Sequence, residues 1–130
     1  MPEAPGTWRC PKCGMAGRVT LANELCLFLQ EPQRVLVGSG LIVPRAHRPT
    51  LFDLDADEWA ATHSLLRQAR ELLDGLHRPQ GYNVGWNVGA TAGQEIFHAH
   101  LHVIPRFEDE PLAGKGIRYW LKQPGNARPG

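Results

Sequence analysis

The feature that most constrains this chain is a short stretch, 97–106, in which single apolar residues separate three histidines. The histidines are His98, His100 and His102. The apolar residues that follow each of them are Ala99, Leu101 and Val103. Alternate side chains of a β-strand point to opposite faces, whereas helical positions two apart do not face each other. The stretch therefore predicts a strand with an apolar core face and a second face that carries chemistry.

The whole chain, 1–130, is predicted to be a single domain, because 130 residues fit one hydrophobic core. Its net charge of +1 gives no electrostatic sign of a nucleic-acid or membrane partner. No apolar run approaches the roughly 20 residues that span a bilayer, and the N-terminus lacks the pattern of a signal peptide. Three cysteines do not suggest a disulfide scaffold, so we expect a reducing, cytoplasmic location.

A CxxC pair, Cys10 and Cys13, lies in a tight segment at 10–14 that ends in glycine. Three interpretations compete: a redox pair, a reduced and unligated pair, and a zinc knuckle. A redox pair favours a neighbouring βαβ pattern, which the sequence does not show. A complete structural zinc site needs two further ligands, and His47 is the first candidate. Cys26 lies in an apolar run and is expected to be a buried small side chain.

Apolar periodicity predicts the other elements of the chain. Strands are predicted at 25–29, 81–88 and 116–121, and 35–37 and 41–43 are predicted to form one further extended region with a bulge or bend at 38–40. Asp55 and Glu58 form a capping box that opens one helix over 56–76. Residues 1–9 are expected to be loose, and the fold of the tail, 107–130, is otherwise left open.

The strand at 81–88 and the histidine strand are expected to pair antiparallel through the small-residue loop 90–95. This arrangement would place Asn87 on the face of the histidines. A glycine-containing loop at that point can direct backbone N–H groups towards an anion.

Three interpretations of the histidine face are open from the residues alone. The first is a solvated polar face, and the second is a catalytic zinc centre that uses two of the imidazoles. The third is nucleophilic catalysis, in which one neutral imidazole attacks and its neighbours orient it.

The stretch His98 to Ile104 resembles the His-φ-His-φ-His-φ-φ motif of the histidine triad (HIT) superfamily, in which φ is apolar. The segments 44–47, 81–85 and 116–120 also resemble members of that superfamily. The resemblance extends from about residue 10 to about residue 120. It implies hydrolysis or transfer of a nucleoside monophosphate from a phosphoramidate, a dinucleoside polyphosphate or an adenylated substrate.

The resemblance also implies roles for individual residues. His100 would be the nucleophile that forms a covalent nucleotidyl intermediate, and His102 would contact the phosphate or the bridging atom. The other residues implied near the phosphate and leaving group are Asn87, Gly93, Gln94 and Glu95. Glu95 departs from the hydroxyl residue that related proteins carry at this position, and a carboxylate near a phosphate is unfavourable unless paired or turned away.

A zinc-bearing branch of the superfamily implies a closed, structural Zn²⁺ site in this chain. Its ligands would be Cys10, Cys13, His47 and His98. The resemblance further implies a nucleoside site in which Glu31 binds the ribose and Leu29 and Leu41 line the base pocket, with Gln30 as an alternative polar group.

The fold implied is α+β, with a five-stranded antiparallel sheet, one main helix and a two-fold dimer with a joined sheet. The expected partners are a small nucleotide substrate and a second copy of the chain. The alternative function is a zinc-stabilised nucleotide-binding or partner-binding module with little catalytic activity. A metallohydrolase that uses zinc directly is a third interpretation.

Overall fold

A computed structural model describes residues 6–130, which form one antiparallel sheet and one long helix. The strands are β1 (Thr7–Arg9), β2 (Ala16–Ala22), β3 (Cys26–Gln30), β4 (Gly40–Pro44), β5 (Gly81–Trp86) and β6 (Leu101–Arg106). The helices are α1 (Ala56–His77) and the short α2 (Arg118–Leu121). The strand order is β1-β2-β3-β4-β6-β5, so β6, which carries the end of the histidine motif, lies inside the sheet.

Helix α1 begins at the predicted capping box. The Asp55 carboxylate accepts a hydrogen bond from the Glu58 amide at 2.8 Å, and the Glu58 carboxylate accepts one from the Asp55 amide at 2.9 Å. These reciprocal bonds satisfy two amide donors that a helix start would otherwise leave without partners. The helix ends where Arg78 adopts a left-handed conformation with φ of 50°. The predicted main helix is therefore confirmed.

The sheet buries apolar side chains on both of its faces. The residues packed between the sheet and α1 are Cys26, Phe28, Ile42, Leu65, Ala69, Leu73, Leu101 and Val103. The residues buried on the opposite face are Cys10, Met15, Val19, Leu27, Leu29 and Val43. The alternation of β3 and β4 between these two sets follows from the period of two along a strand. The face opposite α1 is the one that carries His102, which pairs across the ladder with Leu41.

The predicted five-stranded sheet is wrong by one strand. Two of the six, β1 and β2, were not predicted from the residues; β1 is formed by residues 7–9, which the sequence suggested would be loose. It pairs antiparallel with β2, with Thr7 opposite Arg18. Three residues carry too little alternation to reveal a strand, and the strand exists because β2 offers it an edge. Residues 1–5, for which the same prediction was made, lie outside the described part of the chain.

Three other predicted strands also differ from the structure. Residues 35–37 form an exposed loop, and Val35 is 85% exposed, because they pair with no strand. Residues 118–121 form α2 instead of a strand. The histidine strand begins only at Leu101, because the Ala99 amide binds the carbonyl of Arg48 in the β4–α1 loop instead of joining the ladder. None of the helices in residues 6–130 combines the length and apolarity that a membrane crossing requires.

Candidate functional site

Four metal-ligating side chains converge on the sheet face opposite α1. They are Cys10, Cys13, His47 and His98, and their ligand atoms all lie within 4.8 Å of one another. The Cys10 sulfur is 3.9 Å from His47 Nδ1, and the Cys13 sulfur is 3.4 Å from His98 Nδ1. Ligands around a tetrahedral zinc ion, bonded at about 2.0–2.3 Å, are separated by roughly 3.3–3.8 Å. The cluster therefore has the donor set and the spacing to hold a metal ion.

The tautomer of His98 favours metal binding. Its Nε2 lies 2.8 Å from the Pro44 carbonyl oxygen, which can only accept a hydrogen bond. Nε2 must therefore carry the proton, and the lone pair of Nδ1 faces the Cys13 sulfur. Metal-bound histidines commonly donate their second nitrogen to a carbonyl in this way. His98 is fully buried, and burial lowers its pKa, so the ring stays neutral as a ligand must.

The two thiols of the knuckle, residues 10–14, differ in acidity. Burial opposes ionisation of Cys10, but hydrogen bonds from the amides of Lys12 and Cys13 outweigh it and lower its pKa. Burial raises the pKa of Cys13, and the neighbouring Cys10 thiolate raises it further. A cation placed between the sulfurs would remove this mutual repulsion and ionise both. The local electrostatics thus suit a metal ion better than a free thiol pair.

His100 has one nitrogen fixed and one nitrogen available. Its Nδ1 lies 2.7 Å from the His98 carbonyl oxygen, which can only accept a hydrogen bond, so Nδ1 carries the proton and donates the hydrogen bond. The lone pair is then on Nε2, and the ring is only partly buried. In its neutral form, an imidazole oriented in this way can serve as a nucleophile or a base through Nε2.

His102 lies beside His100, with 5.1 Å between the ring centroids. Its Nε2 is buried and is without a hydrogen-bond partner in the described structure. A buried polar atom of this kind is costly unless a ligand or water satisfies it. Burial, with a smaller contribution from His100, lowers the pKa of His102 and keeps it neutral.

Two clefts meet at His102 and Ile104. The first, of about 270 Å³, lies between β3, β4 and the 31–39 loop, and Leu29, Glu31 and Leu41 line it. The alternative polar residue, Gln30, is engaged elsewhere: its amide accepts from the Thr20 hydroxyl at 2.7 Å and donates to the Gly38 carbonyl at 2.9 Å. The Glu31 side chain is exposed and accepts a hydrogen bond from the amide of Arg18.

The second cleft, of about 290 Å³, lies between β5 and the tail. Asn83, Asn87 and Ile117 contribute to its walls together with His102 and Ile104. Asn87 is exposed and is also close to Gly93, where a β-carbon would lie 3.5 Å from the Asn87 amide nitrogen. The structure thus brings Asn87 and His102 to one cleft and places the 89–94 loop beside it.

Gln94 and Glu95 are adjacent in sequence but differ in environment. The Gln94 side chain is buried; its oxygen accepts from the Gly89 amide, and its nitrogen donates to the carbonyls of Pro49 and Ile96. All of these partners are backbone groups, so Gln94 braces the loop. Glu95 is exposed and has its carboxylate in solvent, which avoids the cost of burying it near an anion.

Some residues of the clefts were not singled out from the sequence. Ile104 continues the period-two pattern two residues beyond His102, and that signal was available. Leu36 and Ile117 also line the clefts, but they come from a loop and from the tail, where no periodicity points to a site.

Comparison with known proteins identifies the family. The HIT domain family matches residues 15–109, most of the chain, and the chain belongs to that family. A relative from Arabidopsis thaliana named adenylylsulfatase is 33% identical over 97 residues, which cover 74% of this chain and 49% of that protein. A relative from Schizosaccharomyces pombe named asymmetrical bis(5'-nucleosyl)-tetraphosphatase is 31% identical over 95 residues, covering 73% and 52%. The chain thus spans about half the length of these two relatives.

The solved structures agree on the fold. A crystal structure of a HIT family protein from Bacillus anthracis superimposes with a TM-score of 0.65 at 28% identity, covering 70% of this chain and 64% of that one. The α+β fold with one main helix and an open antiparallel sheet is therefore that of HIT proteins, and the family includes nucleotide hydrolases.

Proposed function

We propose that this protein is a nucleotide hydrolase or nucleotidyl transferase that cleaves its substrate at the α-phosphate of a nucleoside monophosphate conjugate. The observation that carries the proposal is the 2.7 Å contact between His100 Nδ1 and the His98 carbonyl oxygen. The Nδ1–H of His100 donates to this carbonyl, which leaves the Nε2 lone pair for attack on phosphorus. The names of the two curated relatives, an adenylylsulfatase and a tetraphosphatase, support nucleotide hydrolysis as the general activity.

In the proposed mechanism, His100 Nε2 forms a bond to the α-phosphorus while the bond from phosphorus to the leaving group breaks. The leaving group takes up a proton from solvent and departs, and the water that attacks in the next step returns a proton to solvent. Water then attacks the phosphorus, the phosphorus–nitrogen bond breaks, and the nucleoside monophosphate is released. The Nε2 of His102, which has no hydrogen-bond partner in the described structure, would donate a hydrogen bond to the phosphate or the bridging atom. That bond would offset the cost of burying Nε2.

The two clefts suit the two ends of such a substrate. The first cleft combines the apolar side chains of Leu29 and Leu41 with the Glu31 carboxylate, which fits a base and a ribose hydroxyl. Asn87, in the second cleft, would lie beside the leaving group. The amides of Gly93 and Gln94 already donate to the carbonyls of Ala90 and Gly89, so the Glu95 amide would be the backbone donor that approaches the phosphate. Gly93 would allow close approach, and Gln94 would act by holding that loop.

The metal proposed for the four-ligand cluster is Zn²⁺ in a structural role. Two thiolates and two imidazoles are a common structural zinc set, and four protein ligands leave no position open for catalysis. The ion would anchor the knuckle to the histidine segment, residues 97–106, at a site separate from the proposed position of the phosphate. A reducing compartment such as the cytoplasm belongs to the same proposal, because the cysteines must remain thiolates to bind the ion.

A two-fold dimer that continues the sheet through β5 is also proposed. β5 is the last strand of the sheet order, so its outer edge has no strand partner among residues 6–130. Beside that edge, α1 and β5 form a groove lined by Leu66, Tyr82 and Val84. Trp59 is 43% exposed on the same helix and packs edge to face on Trp86. Free sheet edges next to apolar surface are sites of strand pairing.

The test of the function compares the wild type with His100→Asn. The purified, zinc-loaded protein is mixed with an AMP phosphoramidate or with diadenosine tetraphosphate, and AMP release is measured. We expect turnover by the wild type and a loss of about 10³-fold or more in the variant. Binding of AMP, measured by calorimetry, should persist in both proteins.

The outcomes separate the competing functions. Binding of AMP without turnover by the wild type would favour the alternative of a zinc-stabilised binding module. Turnover retained in His100→Asn would reject the covalent mechanism. Phosphoramidate cleavage without tetraphosphate cleavage would assign the substrate class.

A further inference from the structure

The loop that joins β4 to α1, residues 45–50, supports the histidine segment. It has no regular secondary structure. His47 belongs to the metal cluster, the carbonyl of Arg48 accepts a hydrogen bond from the Ala99 amide at 2.7 Å, and the carbonyl of Pro49 accepts one from Gln94. The position of this loop therefore determines where the hydrogen-bond partners of Ala99 and Gln94 lie.

An ion pair between the buried Glu58 and Arg48, whose side chain is 36% exposed, fastens the loop to the helix, and an Asp55 oxygen lies 3.8 Å from the same guanidinium. Arg48 Nε lies 3.0 Å from both carboxylate oxygens of Glu58, and Glu58 is only 3% exposed. Glu58 lies in the first turn of α1, where its carboxylate also accepts the amide of Asp55. A buried carboxylate is costly unless it is paired and hydrogen-bonded, so the pair holds Arg48 in a single place.

The contact between Arg48 and Ala99 acts on one peptide plane. The amide N–H of Ala99 and the carbonyl of His98 belong to the same peptide unit, which is planar and trans, so they point in opposite directions. The N–H is held by Arg48 on one side. On the other side the carbonyl accepts a hydrogen bond from the Nδ1–H of His100. Fixing the N–H therefore aims the carbonyl that sets the tautomer of His100.

We propose that Glu58 and Arg48 are positioning residues for the reaction, which hold the His98–Ala99 peptide plane so that its carbonyl keeps the proton of His100 on Nδ1. The proposal rests on the proposed function, because it takes His100 Nε2 as the nucleophile. Neither side chain touches the substrate. Without the pair, the peptide plane rotates, and the proton of His100 distributes between its two nitrogens.

The experiment compares three variants of the full-length, zinc-loaded protein. Glu58→Gln keeps the shape of the side chain and removes its charge, and Arg48→Met removes the guanidinium and leaves the backbone. Thr62→Val is the matched control: Thr62 is buried one turn further along α1, and its hydroxyl donates to the Glu58 carbonyl at 2.8 Å. It has no hydrogen bond to the loop or to the histidine segment in the described structure.

Three quantities are measured for each variant: the tautomer of His100 by nitrogen-15 NMR of the imidazole, the zinc content, and kcat and KM with an AMP phosphoramidate. In the wild type and in Thr62→Val, His100 should carry its proton on Nδ1. In Glu58→Gln and Arg48→Met, the two tautomers should mix, and kcat should fall about tenfold while KM stays within about twofold. Zinc should remain bound in all of them.

The proposal is overturned if both loop variants keep the Nδ1–H tautomer and the wild-type kcat. It is also overturned if the tautomer changes only where zinc is lost, because the effect would then belong to the metal cluster, or if Thr62→Val changes the tautomer equally. A wild type without turnover would reject the proposed function, and the NMR comparison would still decide whether the ion pair sets the tautomer.

Discussion

At the residue scale, two identical side chains acquire opposite chemical uses because each donates to a different carbonyl. His98 donates from Nε2 to Pro44, so its free lone pair is on Nδ1 and faces the thiols. His100 donates from Nδ1 to His98, so its free lone pair is on Nε2. A backbone carbonyl can only accept a hydrogen bond, so the two carbonyls leave different nitrogens of the two rings with a lone pair, and the proposed metal and nucleophile roles rest on this difference.

The lowered pKa of His102 has a consequence for stability. Burial lowers this pKa below its ordinary value of 6.5, so in mild acid the unfolded chain binds more protons than the folded protein. Stability contributed by the neutral ring is therefore present above pH 6.5 and is lost as the pH falls towards the pKa of the folded state. We expect the free energy of unfolding to decrease between about pH 7.5 and about pH 5.5, with this residue contributing at most about 1.4 kcal/mol per pH unit.

Urea unfolding at several pH values checks this expectation. His102→Asn should show a weaker dependence on pH than the wild type. His63→Asn, which changes an exposed histidine of α1, serves as the control and should retain the full dependence. Equal slopes in the wild type and His102→Asn would contradict the prediction.

At the element scale, short irregular segments are held by side chains instead of ladders. The knuckle at 10–14 has two backbone hydrogen bonds of its own, from the Cys10 amide to Met15 and from the Gly14 amide to Cys10. Its docking on the histidine segment passes through the four-ligand cluster. The loop at 45–50 is held by the pairing of Arg48 with Glu58, by the Arg45 guanidinium, which donates to the Asn23 carbonyl, and by backbone hydrogen bonds.

Removal of the metal should release the knuckle. A ligand that binds only the folded state stabilises it by about 4 kcal/mol when its free concentration is 1,000 times its Kd. Metal analysis should find about one equivalent of zinc, and a chelator should lower the melting temperature and expose the knuckle to protease. Cys13→Ser should show the same loss without chelator.

The control for the metal prediction is Cys26→Ala. Cys26 is buried between the sheet and α1 and is not part of the cluster, so this variant should retain its zinc. A melting temperature that chelator does not change, or a zinc content below about half an equivalent in freshly purified protein, would argue against the site.

At the scale of the whole molecule, the helix and the candidate site lie on opposite faces of the sheet. Helix α1 covers one face, and the metal cluster, His102 and the first cleft lie on the other. The strand order places β6 between β4 and β5, so a single strand borders both clefts. Among residues 6–130, no strand pairs with the outer edge of β5, which is where the second copy is proposed to bind.

The proposed dimer predicts that a charge at this edge separates the subunits. Val84 lies on β5 and is 37% exposed, so Val84→Arg should convert a dimer to a monomer in sedimentation velocity at micromolar concentration. Phe52→Arg is the control, because Phe52 is 79% exposed in the turn before α1, away from β5. A wild type that sediments as a monomer would reject the proposal.

The parts of this molecule that follow local rules were predictable from the chain. The capping box of Asp55 and Glu58 and the apolar stripe after it define α1, because both depend on residues three and four apart. The alternation around Leu101 and Val103 correctly assigned a core face to β6. The motif from His98 onwards was sufficient to indicate the family.

The parts of the molecule that depend on partners distant in the sequence were not predictable from the chain. The three-residue strand β1 exists because β2 lies beside it. Residues 35–37 form a loop because no strand lies beside them. A zinc knuckle at Cys10 and Cys13, with His47 as a candidate ligand, was one interpretation of the residues themselves. The fourth ligand, His98, was implied only by the resemblance, since spacing alone cannot join ligands 85 positions apart. The sequence by itself determined the helix, the core face of β6 and the set of reactive residues. Only the tertiary structure decided which nitrogen of each histidine is free, because that depends on carbonyls contributed by other segments of the chain.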